Sequence, residues 1–202
     1  MEPRIKKKTN NVTLSIIIGP MMSGKTTELF RRLQIYAING WRVAYIKHEN
    51  DIRGVEFSTH NMMYNQPHPN ITFLTFKTLQ NIVLSNYDII GIDEAQFFDK
   101  SLLDFCDLHV NALGVNVIVS GLDGDYKRNK FGHILDLIPQ CDNITKLGAC
   151  CVECSKHNFF NEASFTHRTP NNNNNIVLIG GKDIYSPLCR ECYNRLNNIT
   201  IP

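Results

Sequence analysis

Gly19-Pro20-Met21-Met22-Ser23-Gly24-Lys25-Thr26 has the spacing G-x-x-x-x-G-K-[ST], that of a phosphate-gripping turn. The chemistry explains the pattern. Gly19 and Gly24 let the backbone wrap so that successive N–H groups point at phosphate oxygens, and a following helix adds the positive end of its dipole. Lys25 has the reach for the β- and γ-phosphates of a nucleoside triphosphate, and the Thr26 hydroxyl can ligate Mg²⁺. Further along, Ile89-Ile90-Gly91-Ile92-Asp93-Glu94 delivers two carboxylates at the carboxyl end of an aliphatic run. Asp93 suits a water-mediated hold on Mg²⁺. Glu94 beside it is free to act as a base toward water or a substrate hydroxyl, an effect typically worth ~10²–10⁴-fold. Taken alone, the same two acids could simply open a following helix; the phosphate loop upstream favours the catalytic reading.

Cys151-x-x-Cys154 and Cys189-x-x-Cys192 form two pairs separated by 34 residues. Four thiolates fill a tetrahedral Zn²⁺ shell and leave no open position, so such a site is structural. Its metal contributes about 10–16 kcal/mol of apparent binding energy to ordering the segment. A redox Cys-x-x-Cys is usually single and opens a helix after a strand. Cys150 and His157 are near enough in sequence to be alternative ligands, whereas Cys106 and Cys141 read as thiols without a role. Seven cysteines is an odd number for a disulfide scaffold, and no secretion signal precedes them, so a reducing, cytosolic setting is expected.

These groups must be positioned by the elements between them. Residues 15–18 are a short aliphatic strand ending at the Gly19-Pro20 turn. From 26 to 38 the apolar positions Leu29, Phe30, Leu33, Tyr36 and Ala37 follow helical spacing until Gly40 stops the helix. Residues 42–47 alternate as a strand does, and 71–74 is a shorter candidate. The runs 87–92 and 115–120 are β-branched and suit strands buried on both faces. Residues 99–113 between them predict one helix, with Leu102, Leu103, Phe105, Cys106 and Val110 apolar. Strands alternating with helices imply right-handed crossovers and a mainly parallel sheet. The predicted fold is therefore α/β, a P-loop NTPase-type sheet flanked by helices with a small C-terminal zinc-ribbon-like lobe. Its parts are a basic tail over 1–12, a nucleotide-binding domain over 13–148 and a zinc-binding lobe over 149–202. The five asparagines at 171–175 read as a loop before a further apolar run at 176–179.

The chain has 202 residues, 43% hydrophobic and 20% charged, with a net charge of +2. That supports a packed core and argues against disorder. Residues 1–8 hold four bases and one acid, so the rest is nearly neutral and lacks the broad basic face of a nucleic-acid-coating protein. No apolar run approaches the ~20 residues that cross a bilayer. Neither a nucleic acid nor a membrane is an expected partner. The residues alone support ATP-dependent phosphoryl transfer without naming the acceptor. Asp93-Glu94-Ala95-Gln96 has a superficial likeness to a helicase box, but the chain is too short for two recombinase-like lobes. A GTPase would carry N-K-x-D, whereas Asn129-Lys130 runs into Phe131-Gly132. Zinc-bearing nucleoside monophosphate kinases place their zinc lid mid-chain and keep it short. A DNA-associated ATPase with a zinc ribbon is the non-kinase rival, with Lys6, Lys7 and Lys8 as its handle.

GPMMSGKTTEL (19–29), IDEAQFF (92–98), LDGDYKRNKFG (122–132), both cysteine pairs and IGGKDIYSPLCRECY (179–193) together resemble the type II thymidine kinases, a family of cellular and large-DNA-virus enzymes. The resemblance runs in order over most of the chain. It implies transfer of the γ-phosphate of ATP to the 5′-hydroxyl of thymidine, giving dTMP for nucleotide salvage. Glu94 matches the family's general base and Asp93 the acid of the Mg²⁺ site. The loop from Gly19 to Thr26 matches the ATP site; Asp51 and Arg53, from a D-x-R element, and Gln96 group with the nucleotide. Phe97 and Tyr126 match aromatics near the thymine, and Met21 and Leu122 match apolar residues around its methyl group. Ile176, Val177, Leu178, Ile179 and Gly180 match a loop that covers the base through main-chain groups, and Tyr185 matches a tyrosine that closes the pocket. Zn²⁺ is likewise implied on Cys151, Cys154, Cys189 and Cys192. A homotetramer, feedback inhibition by dTTP and a cytoplasmic location (host cytoplasm for a viral member) are further implications. Tyr126 departs from the phenylalanine of many relatives, the stretch after Cys154 is longer than in cellular ones, and Arg168 receives no role.

Overall fold

Leu14, Ile16 and Ile18 bury one face of the first strand and Ile17 the other, the alternation that a pleated strand imposes. The structure, a computed structural model, describes residues 11–51, 68–169 and 184–199. Arg53, residues 1–10 of the predicted 1–12 basic tail, the asparagine run and the predicted base-covering residues 176–180 lie outside the described residues.

Six strands, β1 (Leu14–Gly19), β2 (Val43–His48), β3 (Ile71–Phe76), β4 (Ile89–Ile92), β5 (Asn116–Leu122) and β6 (Asn143–Lys146), form one sheet in the order β3-β2-β4-β5-β1-β6. Every pairing in it is parallel. Helix α1 (Lys25–Ile38) lies on one face, where Leu29, Phe30, Leu33 and Ala37 meet Ile17, Val43, Tyr45, Ile89 and Ile118. Each such fully buried Leu, Ile or Phe contributes about 1.5–3 kcal/mol. The other face is covered by α2 (Ser101–Asp107), the 3₁₀ turn Ala95–Phe97 and a 3₁₀ stretch Ile134–Gln140. Helix α1 stops as expected at Gly40, which has φ 78° and whose N–H bonds the Ala37 carbonyl at 3.0 Å.

The predicted single helix over 99–113 is corrected. It keeps α geometry from Ser101 only to Asp107, and Leu108–Ala112 is a π turn closed by Leu113 N–H to the Leu108 carbonyl at 3.0 Å. The wider turn accompanies His109, which is fully buried, stacks on Phe105 at 3.9 Å and accepts the Leu84 N–H at Nε2 (3.0 Å). Its Nδ1–H is thereby left to donate to the Phe105 carbonyl at 2.7 Å. Apolar spacing does not distinguish this from an α-helix, because the buried polar contact decides it. Strand β6 and the 134–140 stretch are additions to the sequence reading. The first is a four-residue edge strand with mostly exposed side chains, and the second contains Pro139, so neither carries a usable period.

Beyond β6 a third core gathers Ala149, Cys151, Ala163, Leu188, Cys189, Cys192 and Tyr193. It is built from β7 (Ala149–Cys150) paired with β8 (Glu162–Ala163), and β9 (Phe165–Arg168) paired antiparallel with β10 (Tyr185–Leu188). Helices α3 (Val152–Ser155) and α4 (Arg190–Leu196) complete it.

Candidate active site

The carboxyl ends of β1, β4 and β5 meet at one edge of the sheet, where open α/β sheets hold ligands. The turn after β1 approaches the strand end so closely that a Cβ on Gly19 would sit 2.3 Å from the Leu147 carbonyl oxygen. Gly24 has φ 83° at the start of α1, a left-handed conformation that glycine adopts without penalty. Lys25 is buried and its Nζ donates to the Pro20 carbonyl at 2.7 Å, while the Ser23 hydroxyl bonds the same oxygen at 2.9 Å. Met21 N–H donates to the Thr166 hydroxyl oxygen at 3.0 Å, so the phosphate loop is tethered to β9. Met22 stands in the exposed tip with φ 63°.

Asp93 follows β4 and is 2% exposed. Its carboxylate accepts the Tyr45 phenol at 2.7 Å and the Ser120 hydroxyl at 2.5 Å, and it also bonds the side chain of Thr26. Burial, then the adjacent Glu94 charge, raises its pKa above the usual carboxylate range. Burial and then Asp93 push the Tyr45 phenol well up, so it stays a donor. Thr26 and Asp93, separated by 67 positions in the chain, are thus joined at the helix end where a nucleotide's phosphates would lie. A hydroxyl beside a carboxylate is an oxygen-rich donor set of the kind Mg²⁺ prefers.

Glu94 takes the next position in a left-handed conformation, φ 48° and ψ 44°. That geometry costs of order 1–3 kcal/mol for a residue with a side chain and is often held at functional sites. Gln96 orients it: the Gln96 amide N–H donates to Glu94 Oε2 at 2.5 Å, and its carbonyl oxygen accepts Leu122 N–H at 2.9 Å. Both ends of the Gln96 amide are therefore engaged in joining the β4 turn to the β5 turn. Phe97 packs edgewise on Phe131 at 6.2 Å and near His48 at 6.0 Å. Asp51 lies just past β2, its carboxylate 2.9 Å from Lys47 Nζ.

Two of the predicted pocket residues, Tyr126 and Tyr185, lie against β9. The Arg168 guanidinium lies 3.8 Å over the Tyr126 ring, and Tyr185 is the cross-strand partner of Arg168. Thr166, Arg168, Phe131, Tyr45 and Ser120 contact predicted site residues and are not themselves singled out by the sequence. The segment Phe-Thr-His-Arg has no motif spacing, and its partners lie far away in the chain, 145 positions for Thr166 and Met21.

The four cysteine sulfurs of the two pairs lie within 4.8 Å of one another, with Cys154 Sγ 3.8 Å from Cys189 Sγ and 3.6 Å from Cys192 Sγ. A tetrahedral Zn²⁺ with bonds of about 2.3 Å requires sulfurs about 3.8 Å apart, so the donor set fits that ion. None of the four is in a disulfide. Asn161 Nδ2 approaches Cys154 Sγ at 3.2 Å, a donor matched to thiolate charge. Cys150 stands outside the cluster against the Ser155 hydroxyl at 3.1 Å, and His157 is outside it too.

A family model described as thymidine kinase matches residues 12–193. The chain is 41% identical to a thymidine kinase of Amsacta moorei entomopoxvirus, the match covering 91% of this chain and 98% of that one. It is 45% identical to a thymidine kinase of Oryza sativa subsp. japonica over 89% of this chain and 65% of the plant protein. A thymidine kinase of monkeypox virus is 39% identical, over 91% and 98% of the two chains.

Proposed function

This chain belongs to the thymidine kinase family, and we propose that its phosphate loop and Glu94 carry out the transfer between ATP and thymidine at the carboxyl edge of the sheet. The protein is an ATP-dependent thymidine kinase. The observation that supports this placement of the chemistry is the side-chain bond between Thr26, at the start of α1, and Asp93, with Glu94 next to Asp93 at the end of β4.

In this reading the main-chain N–H groups between Gly19 and Thr26, with Lys25, hold the β- and γ-phosphates. Thr26 and Asp93 would hold Mg²⁺, which would supply positive charge against that of the phosphates. Glu94, aimed by Gln96, takes the proton from the 5′-hydroxyl as that oxygen bonds to the γ-phosphorus and the bond from phosphorus to ADP breaks. The products are dTMP, ADP and a proton. Asp51, Arg53 and Gln96 complete the nucleotide side. Met21, Phe97, Leu122, Tyr126 and Tyr185, with residues 176–180, enclose the base. A base read largely by main-chain groups gains selectivity because a buried polar group left unpaired costs about 1–3 kcal/mol. Cys151, Cys154, Cys189 and Cys192 would hold Zn²⁺ and so anchor the lobe that carries β9 and β10. A homotetrameric state, inhibition by dTTP and a cytoplasmic location complete the proposal. In keeping with the last, no helix among the described residues is long and apolar enough to cross a membrane.

The test is incubation with γ-labelled ATP and a panel of nucleosides, nucleotides and single-stranded DNA. Label is expected in thymidine 5′-monophosphate ahead of any other acceptor. Label released only as inorganic phosphate, and stimulated by DNA, would overturn the kinase reading in favour of an ATPase.

A further inference from the structure

Tyr193 follows Cys192 directly in α4 and is 3% exposed. Its phenol donates to the main-chain carbonyl of Tyr126 at 2.5 Å, across 67 positions of sequence. The ring is held on several sides. The Arg128 guanidinium lies 4.7 Å over it, Phe165 sits at 5.4 Å and the His167 ring meets it edge-on at 6.3 Å. Its own N–H bonds the Cys189 carbonyl at 2.9 Å. Tyr126 is thus gripped twice from the four-cysteine lobe, at its backbone by Tyr193 and at its ring by Arg168 at 3.8 Å. Arg128, in the same 122–132 loop as Tyr126, holds a left-handed φ of 66° and also lies 5.4 Å over Phe165. Among the described residues, the hydrogen-bond and ring partners of Tyr193 lie in that loop or in the lobe, and none is in the phosphate loop.

We infer that Tyr193 is a positioning residue for the acceptor: through the Tyr126 carbonyl it couples the four-cysteine lobe to the thymidine side of the site and leaves the ATP side unaffected. The inference rests on the assignment of Tyr126 to the pyrimidine pocket. A ring that stacks on a base must be held in place before the base arrives, because ordering it on binding weakens affinity. The Tyr193 bond supplies that preorganisation from the chain position next to a cysteine of the cluster.

The experiment is steady-state kinetics of Tyr193→Phe with each substrate varied in turn, together with zinc analysis of the purified protein. The variant removes the phenol donor from the carbonyl of half-buried Tyr126, so KM for thymidine is expected to rise about tenfold. KM for ATP and kcat should stay within about twofold, with zinc content equal to that of the wild type. Arg128→Met, which keeps bulk but removes the cation over the Tyr193 ring, should shift KM for thymidine in the same direction by a smaller factor, and it carries the test if Tyr193→Phe does not fold. An unchanged KM for thymidine, a parallel rise for both substrates, or zinc loss accompanying the defect would overturn the coupling. Wild-type protein that does not phosphorylate thymidine at all would overturn the underlying site reading instead, so the two failures are distinct.

Discussion

Asp93 receives hydroxyl groups from Tyr45, Ser120 and Thr26, yet burial and the Glu94 charge still raise its pKa. An acid that ionises less readily in the folded than in the unfolded state costs stability once it is charged. The cost is absent below the ordinary aspartate value of about 4 and grows as pH rises through the folded-state value. Asp93→Asn is therefore expected to raise the Tm of the nucleotide-free protein at neutral pH, with the gain vanishing in acid, while turnover is lost. A lower Tm at neutral pH, measured calorimetrically, would contradict this account. The aspartate itself is legible in the sequence because it follows an aliphatic strand at a fixed position after a phosphate loop. The hydroxyls around it are not. Tyr45 and Ser120 belong to strands whose burial pattern alone would make them anonymous core positions, and only the sheet order brings them to one carboxylate.

At the scale of elements, the parallel sheet and α1 follow from patterns that one strand or helix carries within itself. Ile16, Ile17 and Ile18 are buried on opposite faces, and Leu29, Phe30 and Leu33 mark one stripe of α1. Elements defined by their partners are less legible. The π turn after α2 depends on a histidine bonded to a main-chain N–H 25 positions away, and β9 draws its role from contacts with Met21 and Tyr126. The lobe has a small apolar core of its own, so on the proposed assignment of zinc to the four cysteines its stability would rest mainly on metal ligation. Chelation of zinc is expected to raise amide hydrogen exchange in α4, β9 and β10 while β1, β4 and β5 remain protected. Protection lost from the central strands at the same rate would show the lobe and sheet to be one cooperative unit, contrary to the expectation.

Across the whole molecule, two cores pack on opposite faces of one sheet and a third lies beside its carboxyl edge. Among the described residues the lobe reaches the site through contacts that include Thr166 on the phosphate loop, Arg168 on the Tyr126 ring and Tyr193 on the Tyr126 carbonyl. The lobe therefore touches both the phosphate loop, through Thr166, and the 122–132 loop, through Arg168 and Tyr193, while Glu94 follows β4 of the sheet. The sequence names the chemical groups of these parts through motifs, but their meeting depends on Gln96 spanning from Glu94 to Leu122, a contact without a motif. The central claim is that Glu94 is the base for the transfer. The most direct measurement is single-turnover phosphorylation of thymidine by Glu94→Gln, with ATP affinity measured in parallel. The account predicts ATP binding like that of the wild type and a rate lower by about 10²–10⁴-fold; a rate close to that of the wild type would contradict it.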